Sequence, residues 1–225
     1  KPIYISVLPT ELNNIESTKE KKDLFIKIVL PLILGENEKI ISDRNKLFRL
    51  LGKIKNSRNE KIWLSRKFKE YEIKDRDLSE LKIRMDIIPV SLAIAQAAKE
   101  TGWGTSRFAL QGNAFFGQKI IGSNVNGIKP IKNENPYIKV RTFNTLKDSV
   151  NAYAKNLNTH KAYQTFRQAR KEKRSLSQAL EGSNLVKTLR KYSELGEEYT
   201  EQVQSIIEKN NLEKFDYLEY QSAQN

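Results

Sequence analysis

The chain has 225 residues, with 40 Lys and Arg against 27 Asp and Glu, a formal net charge of +13 and a single histidine, His160. It has no cysteine, which excludes a disulfide scaffold, thiol catalysis and Cys-ligated metal, and one histidine leaves no basis for a zinc centre or a Ser-His-Asp triad. Any catalysis must run on carboxylates, Tyr, Lys, Ser or Thr, with no cofactor or metal expected.

A basic chain is drawn to polyanions, but here acids are interspersed along its length and no basic tail stands out. Nucleic acid is therefore not the expected partner, and an anionic bacterial wall would be met equally well. The strongest apolar stretch, 24–34, contains Lys27 and Pro31 and is too short to span a bilayer. The chain opens at Lys1 without an initiator Met, as it would after removal of a signal peptide, although the sequence shows none, and the absence of Cys fits a periplasmic or a cytosolic home equally well.

In chain order, residues 1–19 read as an extended arm with a β-like run, "IYISVLP". Apolar residues Leu24, Ile28 and Leu32, then Ile40, Leu47, Leu50 and Leu51, recur at helical spacing and predict two helices with a break at "GEN", 35–37. A further amphipathic segment covers 60–71. Together, 20–84 form an expected N-terminal helical region packed on a catalytic domain at 85–215, with 216–225 as a tail.

Pro89 suits the start of a helix and Gly102 its end, so one helix is predicted over 88–101. Val90, Leu92, Ala93, Ile94, Ala95, Ala97 and Ala98 cover most of its circumference and mark it as central and buried. Gln96, Lys99, Glu100 and Trp103 fall on one strip by three- and four-residue steps, and that strip is expected to face a cleft. A carboxylate at a helix C-terminus, near the negative end of the dipole and partly desolvated, has its pKa raised, which is what a general acid needs. Glu100 is equally compatible with simple solvation of a helix end. The glycines on either side of Trp103 allow a tight turn that would present an indole to a sugar ring or bury it in the core.

Between 112 and 143 glycines cluster, prolines fall at 130 and 136, and "YIKVRTF" alternates apolar with polar. This predicts a small β-hairpin region of two or three strands. Thr145 and Asp148 then sit at capping-box spacing before a helix carrying Leu146, Val150, Tyr153 and Leu157 on one face. Further helices are predicted near 162–173, 176–190 and 197–210. Tyr153 and Tyr163 read as core residues whose hydroxyls could reach a cleft, and His160 as a helix-end residue.

"AQAAKETGWGTSRFALQGNAFFGQ" resembles the "AQAALESGWG…NLFG" signature of the bacterial glucosaminidase superfamily, and the wider pattern is similar to its Bax-type proteins. "DIIPVSLAIAQAA", "NLNTHKAYQTFR" and "YSELGEEY" extend that resemblance over roughly residues 20–212. It implies a mainly α, lysozyme-like (α+β) domain with a small β-lobe across a cleft, acting as a monomer on the glycan strands of peptidoglycan in the periplasm, the cell envelope or outside the cell. Glu100 would be the catalytic acid, Phe116 and Gly117 would lie on the cleft wall, and Tyr192 would match the tyrosine of the superfamily's "YAT" motif. Gln96, Trp103, Phe116, Gln118, Tyr153 and Tyr199 complete the expected substrate-binding set.

A glycosidase usually needs a second carboxylate. Glu134 is the only acid between Glu100 and Asp148 and is the sequence candidate, although an exposed turn residue would look the same. Without it, the substrate's N-acetyl group could stabilise the reacting centre. The expected activity is that of an endo-β-N-acetylglucosaminidase. A lytic transglycosylase using the same Glu, and a non-catalytic basic wall- or nucleic-acid-binding module, are the alternatives.

Overall fold

The structure is a computed structural model that describes residues 5–122, 126–131, 135 and 137–218. Helix α1 (Thr18–Leu51) runs for 34 residues from a Ser17 cap whose hydroxyl accepts from the Glu20 N–H. The break expected at 35–37 does not occur, and Pro31 also lies within the helix. Polarity misled the reading there, because Glu36 and Asn37 face inward. Asn37 holds both backbone groups of Ile88, donating to its carbonyl (2.8 Å) and accepting from its N–H (3.1 Å), while Glu36 accepts from Asn151 at 2.9 Å. An interior glycine costs a helix about 1 kcal/mol, which the buried face of α1, from Phe25 to Leu50, outweighs.

The start of the chain is tied to the core. Among residues 5–14 the regular element is a 3-10 turn at Thr10–Asn14, Leu8 and Leu12 are buried, and the Ser6 carbonyl accepts from the Leu146 N–H at 2.9 Å. Residues 1–4 of the β-like run lie outside the described residues. After α1 come α2 (Arg58–Glu70), opened by a Ser57–Glu60 capping box, and α3 (Leu78–Arg84), capped by Asp77. Phe68, Tyr71, Ile73, Leu81 and Met85 from this region bury against Leu47 of α1 as a small second core.

Helix α4 (Val90–Thr101) occupies the centre, and its two side chains that are not buried are Lys99 and Glu100. Gly102 ends it in the left-handed conformation at φ 56°, which glycine reaches without a Cβ penalty. Helix α5 (Arg107–Gly112) leads into an antiparallel sheet of β1 (Lys119–Ile121), β2 (Gly127–Ile128) and β3 (Ile138–Arg141) in the order β1-β3-β2, with Lys119 opposite Val140. Helix α6 (Leu146–Thr159) carries the expected capping box. A 3-10 turn, Lys161–Tyr163, precedes α7 (Gln164–Ser175).

The helix predicted over 176–190 is absent in that form. Ser177 turns left-handed at φ 54°, and the chain re-forms only as the short α8 (Gly182–Leu185) and a 3-10 segment, Val186–Tyr192. Tertiary packing decides this, since Gly182 lies so close to α4 that an added Cβ would stand 2.2 Å from the Ser91 hydroxyl. Helix α9 (Glu197–Lys209) and a last 3-10 turn, Leu212–Phe215, then pack on α4. The result is a mainly α, lysozyme-like domain with a three-stranded lobe, and no described helix is long and apolar enough to cross a membrane.

Both ends of α4 are fastened. Asp216 caps its start, accepting from the Ser91 N–H (2.8 Å), the Ser91 hydroxyl (2.6 Å) and the Gly182 N–H (3.0 Å). The strand of chain leading into it, 82–88, is held by three arginines. Buried Arg170 of α7 donates to the carbonyls of Ile83, Asp86 and Ile87, Arg44 of α1 to those of Lys82 and Met85, and Arg174 pairs with the Asp86 carboxylate through two hydrogen bonds of 2.9 and 3.1 Å. Burial lowers the pKa of Arg170 to about 10. Asp86, 2 % exposed, is pushed up by burial, but Arg170, Arg174 and Arg44 outweigh this and hold it below the usual carboxylate range.

Asp86→Ala should therefore destabilise the fold by about 3–5 kcal/mol, the range for stranding one side of a buried ion pair, measured by urea unfolding at neutral pH. Because the folded pKa is depressed, the carboxylate's contribution is present above the unfolded value of about 3.9 and is lost as pH falls through the folded value. The stability gap between wild type and variant should narrow on acidification, and a gap that stays constant with pH would be incompatible with an ionised Asp86.

Candidate active site

A cleft of about 1110 Å³ runs between the sheet and the helices, lined by Glu100, Phe116, Gly117, Gln118, Lys119, Arg141, Asn151, Lys155, Tyr163, Tyr192 and Glu194 among others. Glu100 reaches it from the last turn of α4. Opposite the carboxylate stands Gly117, at φ 58°, and an added Cβ there would lie 2.7 Å from Glu100 Oε2. The backbone conformation and the space taken by the carboxylate both require glycine at this position.

Behind Glu100 lies a chain of buried hydrogen bonds with one consistent direction. The Tyr153 hydroxyl donates to Gln96 Oε1 at 2.6 Å, Gln96 Nε2 donates to the Tyr199 hydroxyl at 2.9 Å, and Tyr199 donates to the Glu100 carboxylate. Gln96 is wholly buried, and with both ends engaged its amide orientation is set. Burial raises the pKa of Glu100, against the smaller lowering influences of Tyr199, Lys99 and Lys119. Tyr199 is driven far above the ordinary tyrosine range by burial and by the neighbouring carboxylate, so it stays a hydrogen-bond donor at any working pH.

Aromatic rings back the cleft, and of these Tyr192 is the one that is not buried. Phe116 stacks on Tyr153 (3.8 Å between centroids, 8° between planes), Tyr192 stacks on Tyr199 (5.5 Å, 12°), and Tyr163 tilts against Tyr192 (5.8 Å, 36°). The Tyr192 hydroxyl donates to the Phe116 carbonyl at 3.0 Å, which ties the two sides of the wall together. Burial, followed by Tyr199 and Glu100, pushes the pKa of Tyr192 well up.

The structure divides the residues expected on the site. Glu100, Phe116, Gln118 and Tyr192 line the cleft, as does Tyr163. Gln118 is held by its own donation to the Ala152 carbonyl at 3.1 Å. Gln96, Tyr153 and Tyr199 do not face it, being 0 %, 1 % and 2 % exposed, and act on Glu100 from behind. Lys99 opens onto a separate shallow depression beside Glu201 and Ile206. Trp103 is also elsewhere, packed edge-on against Phe25 at 5.8 Å with Lys22 over its ring. Helical periodicity could not place it, because the chain leaves the helix at Gly102 and Trp103 is itself left-handed at φ 61°. Glu134 lies outside the described residues.

Several cleft residues had no local signal in the sequence. Glu72, Lys119, Arg141, Asn151, Lys155 and Glu194 come from five separate elements or loops. His160 stands at the cleft, where its Nδ1 accepts from the Ala162 N–H at 3.2 Å and caps the 3-10 turn. Among the described residues, no group of three or more His, Asp or Glu converges as a metal site.

Residues 76–212 match the glucosaminidase family, described as mannosyl-glycoprotein endo-beta-N-acetylglucosaminidase. The chain is also 32% identical over 212 residues to the protein called Protein bax of Escherichia coli (strain K12), covering 91% of this chain and 75% of the relative. No solved structure gives a significant match. With the family match spanning the cleft, the sheet and the helix that carries Glu100, the chain belongs to the glucosaminidase family, alongside its Bax-type proteins.

Proposed function

We propose that the protein is an endo-β-N-acetylglucosaminidase that hydrolyses the glycan strands of peptidoglycan in the cell envelope, acting as a monomer with Glu100 as general acid. The observation that carries this reading is the setting of one carboxyl group. Glu100 is desolvated enough to favour its proton, yet opens onto a cleft where the partly exposed Tyr192 ring, backed by the nearly buried Phe116 and Tyr163, can meet a sugar. A carboxyl still protonated near neutral pH can donate to the leaving glycosidic oxygen. Tyr199 and Gln96 fix its rotamer, and Gly117 leaves the room it needs. Tyr192 contributes its ring, since its proton is engaged by the Phe116 carbonyl. The family name supports glycan chemistry. A lytic transglycosylase would use the same acid and differs only in the product end it leaves.

Wild-type protein incubated with purified peptidoglycan should release fragments ending in reducing N-acetylglucosamine, read by mass spectrometry. Glu100→Gln should lower turnover by about 10²–10⁴-fold, the usual contribution of a general acid, while the protein stays folded. Anhydro-muramyl ends would instead establish the transglycosylase. Unchanged activity of folded Glu100→Gln would remove the assignment of the acid.

Two variants probe the supports of Glu100. The Tyr199 hydrogen bond lowers the pKa of Glu100, so Tyr199→Phe should raise it; the acid then keeps its proton to higher pH, and the alkaline limb of the pH–rate profile should move upward. A limb that stays in place or moves down would show that Tyr199 does not act on the acid. Gly117→Ala places a methyl on the carboxylate at a left-handed position, and should cut kcat more than it raises KM. A variant with wild-type kcat would mean that the Glu100 rotamer does not matter.

A further inference from the structure

Besides Glu100, two more carboxylates line the cleft, Glu72 and Glu194; Glu72 pairs with Lys155 at 3.7 Å, whereas the cation bonded to Glu194 also acts on Glu100. Glu194 follows Tyr192 by two residues and lines the same cleft as Glu100. Its turn is built to present it. Tyr192 is anchored to the Phe116 carbonyl, the Leu195 N–H is held by the Ser193 hydroxyl at 3.3 Å, and the Gly196 N–H returns to the Ser193 carbonyl at 3.1 Å with Gly196 at φ 57°. From the opposite lobe, Lys119 of β1 donates to Glu194 Oε1 at 2.9 Å. The same ammonium also acts electrostatically on Glu100, more weakly than Tyr199 and Lys99 do.

Stability does not account for this arrangement. The side chain of Glu194 is 90% exposed and that of Lys119 59%, and an ion pair so open to water contributes little to stability. What the pair does provide is an exposed carboxylate held on the same cleft as a buried carboxyl group. Resting on the glycosidase reading above, we infer that Glu194 is the general base that activates the attacking water. In that step Glu194 takes a proton from water as the water oxygen bonds to the anomeric carbon. The bond from that carbon to the glycosidic oxygen breaks, and the leaving oxygen takes the proton of Glu100. One water is consumed, a hemiacetal and an alcohol are formed, and both carboxyl groups return to their starting states by exchange with solvent. The two environments diverge in the sense this division requires, since burial favours the proton on Glu100 while Lys119 disfavours it on Glu194. Among the described residues, Lys119 is the charged group that acts on Glu194; Glu100 meets Lys99 of its own helix, Lys119 of β1 and the Tyr199 hydroxyl of α9.

The test compares wild type, Glu100→Gln, Glu194→Gln, Glu194→Ala and Lys119→Met on soluble peptidoglycan glycan fragments, reading new reducing ends across pH together with melting temperature. Glu194→Gln is expected to lose about 10²–10⁴-fold in kcat with KM little changed, to lose the acidic limb of the pH–rate profile, and to melt as wild type does. Sodium azide should restore cleavage to Glu194→Ala by attacking the anomeric carbon in place of water, read by mass spectrometry as a glycosyl azide because that product has no reducing end. Lys119→Met should shift both limbs to higher pH, because Lys119 lowers the pKa of both carboxyl groups. If wild type is active, Glu100→Gln is inactive and Glu194→Gln keeps kcat within about threefold or keeps its acidic limb, the assignment of Glu194 is overturned and the glycosidase reading stands. If wild type releases no reducing ends, both fall together.

Discussion

The all-round burial of α4 is the constraint on which the rest of the structure depends. A helix whose side chains are apolar or small on nearly every side has to be surrounded, and here α1, α8, α9 and the turn Leu212–Phe215 do so. Its axial position is not set by apolar packing, which is tolerant of sliding. Directional contacts set it: the Asp216 cap and the arginine-bound segment 82–88 at one end, and the left-handed exit at Gly102 with Thr101 bonded to the Ala97 carbonyl (2.6 Å) and the Gly104 N–H (2.8 Å) at the other. Glu100 occupies the last turn of this fixed rod, so its placement inherits the rigidity of the whole core.

The cleft divides into a desolvated base and a hydrated rim. At the base, Tyr153, Gln96 and Tyr199 form a fully satisfied polar chain in an otherwise apolar interior, and such networks specify one geometry because breaking any link strands a buried partner. At the rim stand charged side chains, Glu72, Lys119, Arg141, Lys155, Lys191 and Glu194, whose attraction is screened by water and salt. A carboxyl group between these two zones is deprived of water on one side and open to a ligand on the other. That asymmetry, rather than the count of acids in the cleft, is what separates Glu100 from Glu194.

Much of the fold was legible in the residues. Pro89 and Gly102 bracket α4 within two residues of their expected positions, the Thr145–Asp148 box opens α6, and the glycine- and proline-punctuated stretch forms the β-lobe. Each of these signals is local, depending on backbone conformations that neighbours in sequence decide. The failures share the opposite character. Glu36 and Asn37 looked like a break because their partners, Asn151 and Ile88, are distant in the chain. The stretch 176–190 looked helical because nothing local announces that Gly182 must touch Ser91.

The same division runs through the candidate site. The identity of Glu100 as a carboxylate at the end of a buried helix, the tyrosine at 192 and the absence of thiol or histidine-metal chemistry follow from the amino-acid sequence by itself. Tertiary structure alone decided that Trp103 turns away to Phe25, that Gln96, Tyr153 and Tyr199 stand behind the carboxyl group, and that Lys119 and Glu194 meet across the cleft. Helical periodicity carries a side chain's direction only while the helix lasts, and it says nothing about which side of a buried residue is wet. Those directions arise where segments 75 residues apart, such as β1 and the turn after Tyr192, are brought together by a core that neither of them forms.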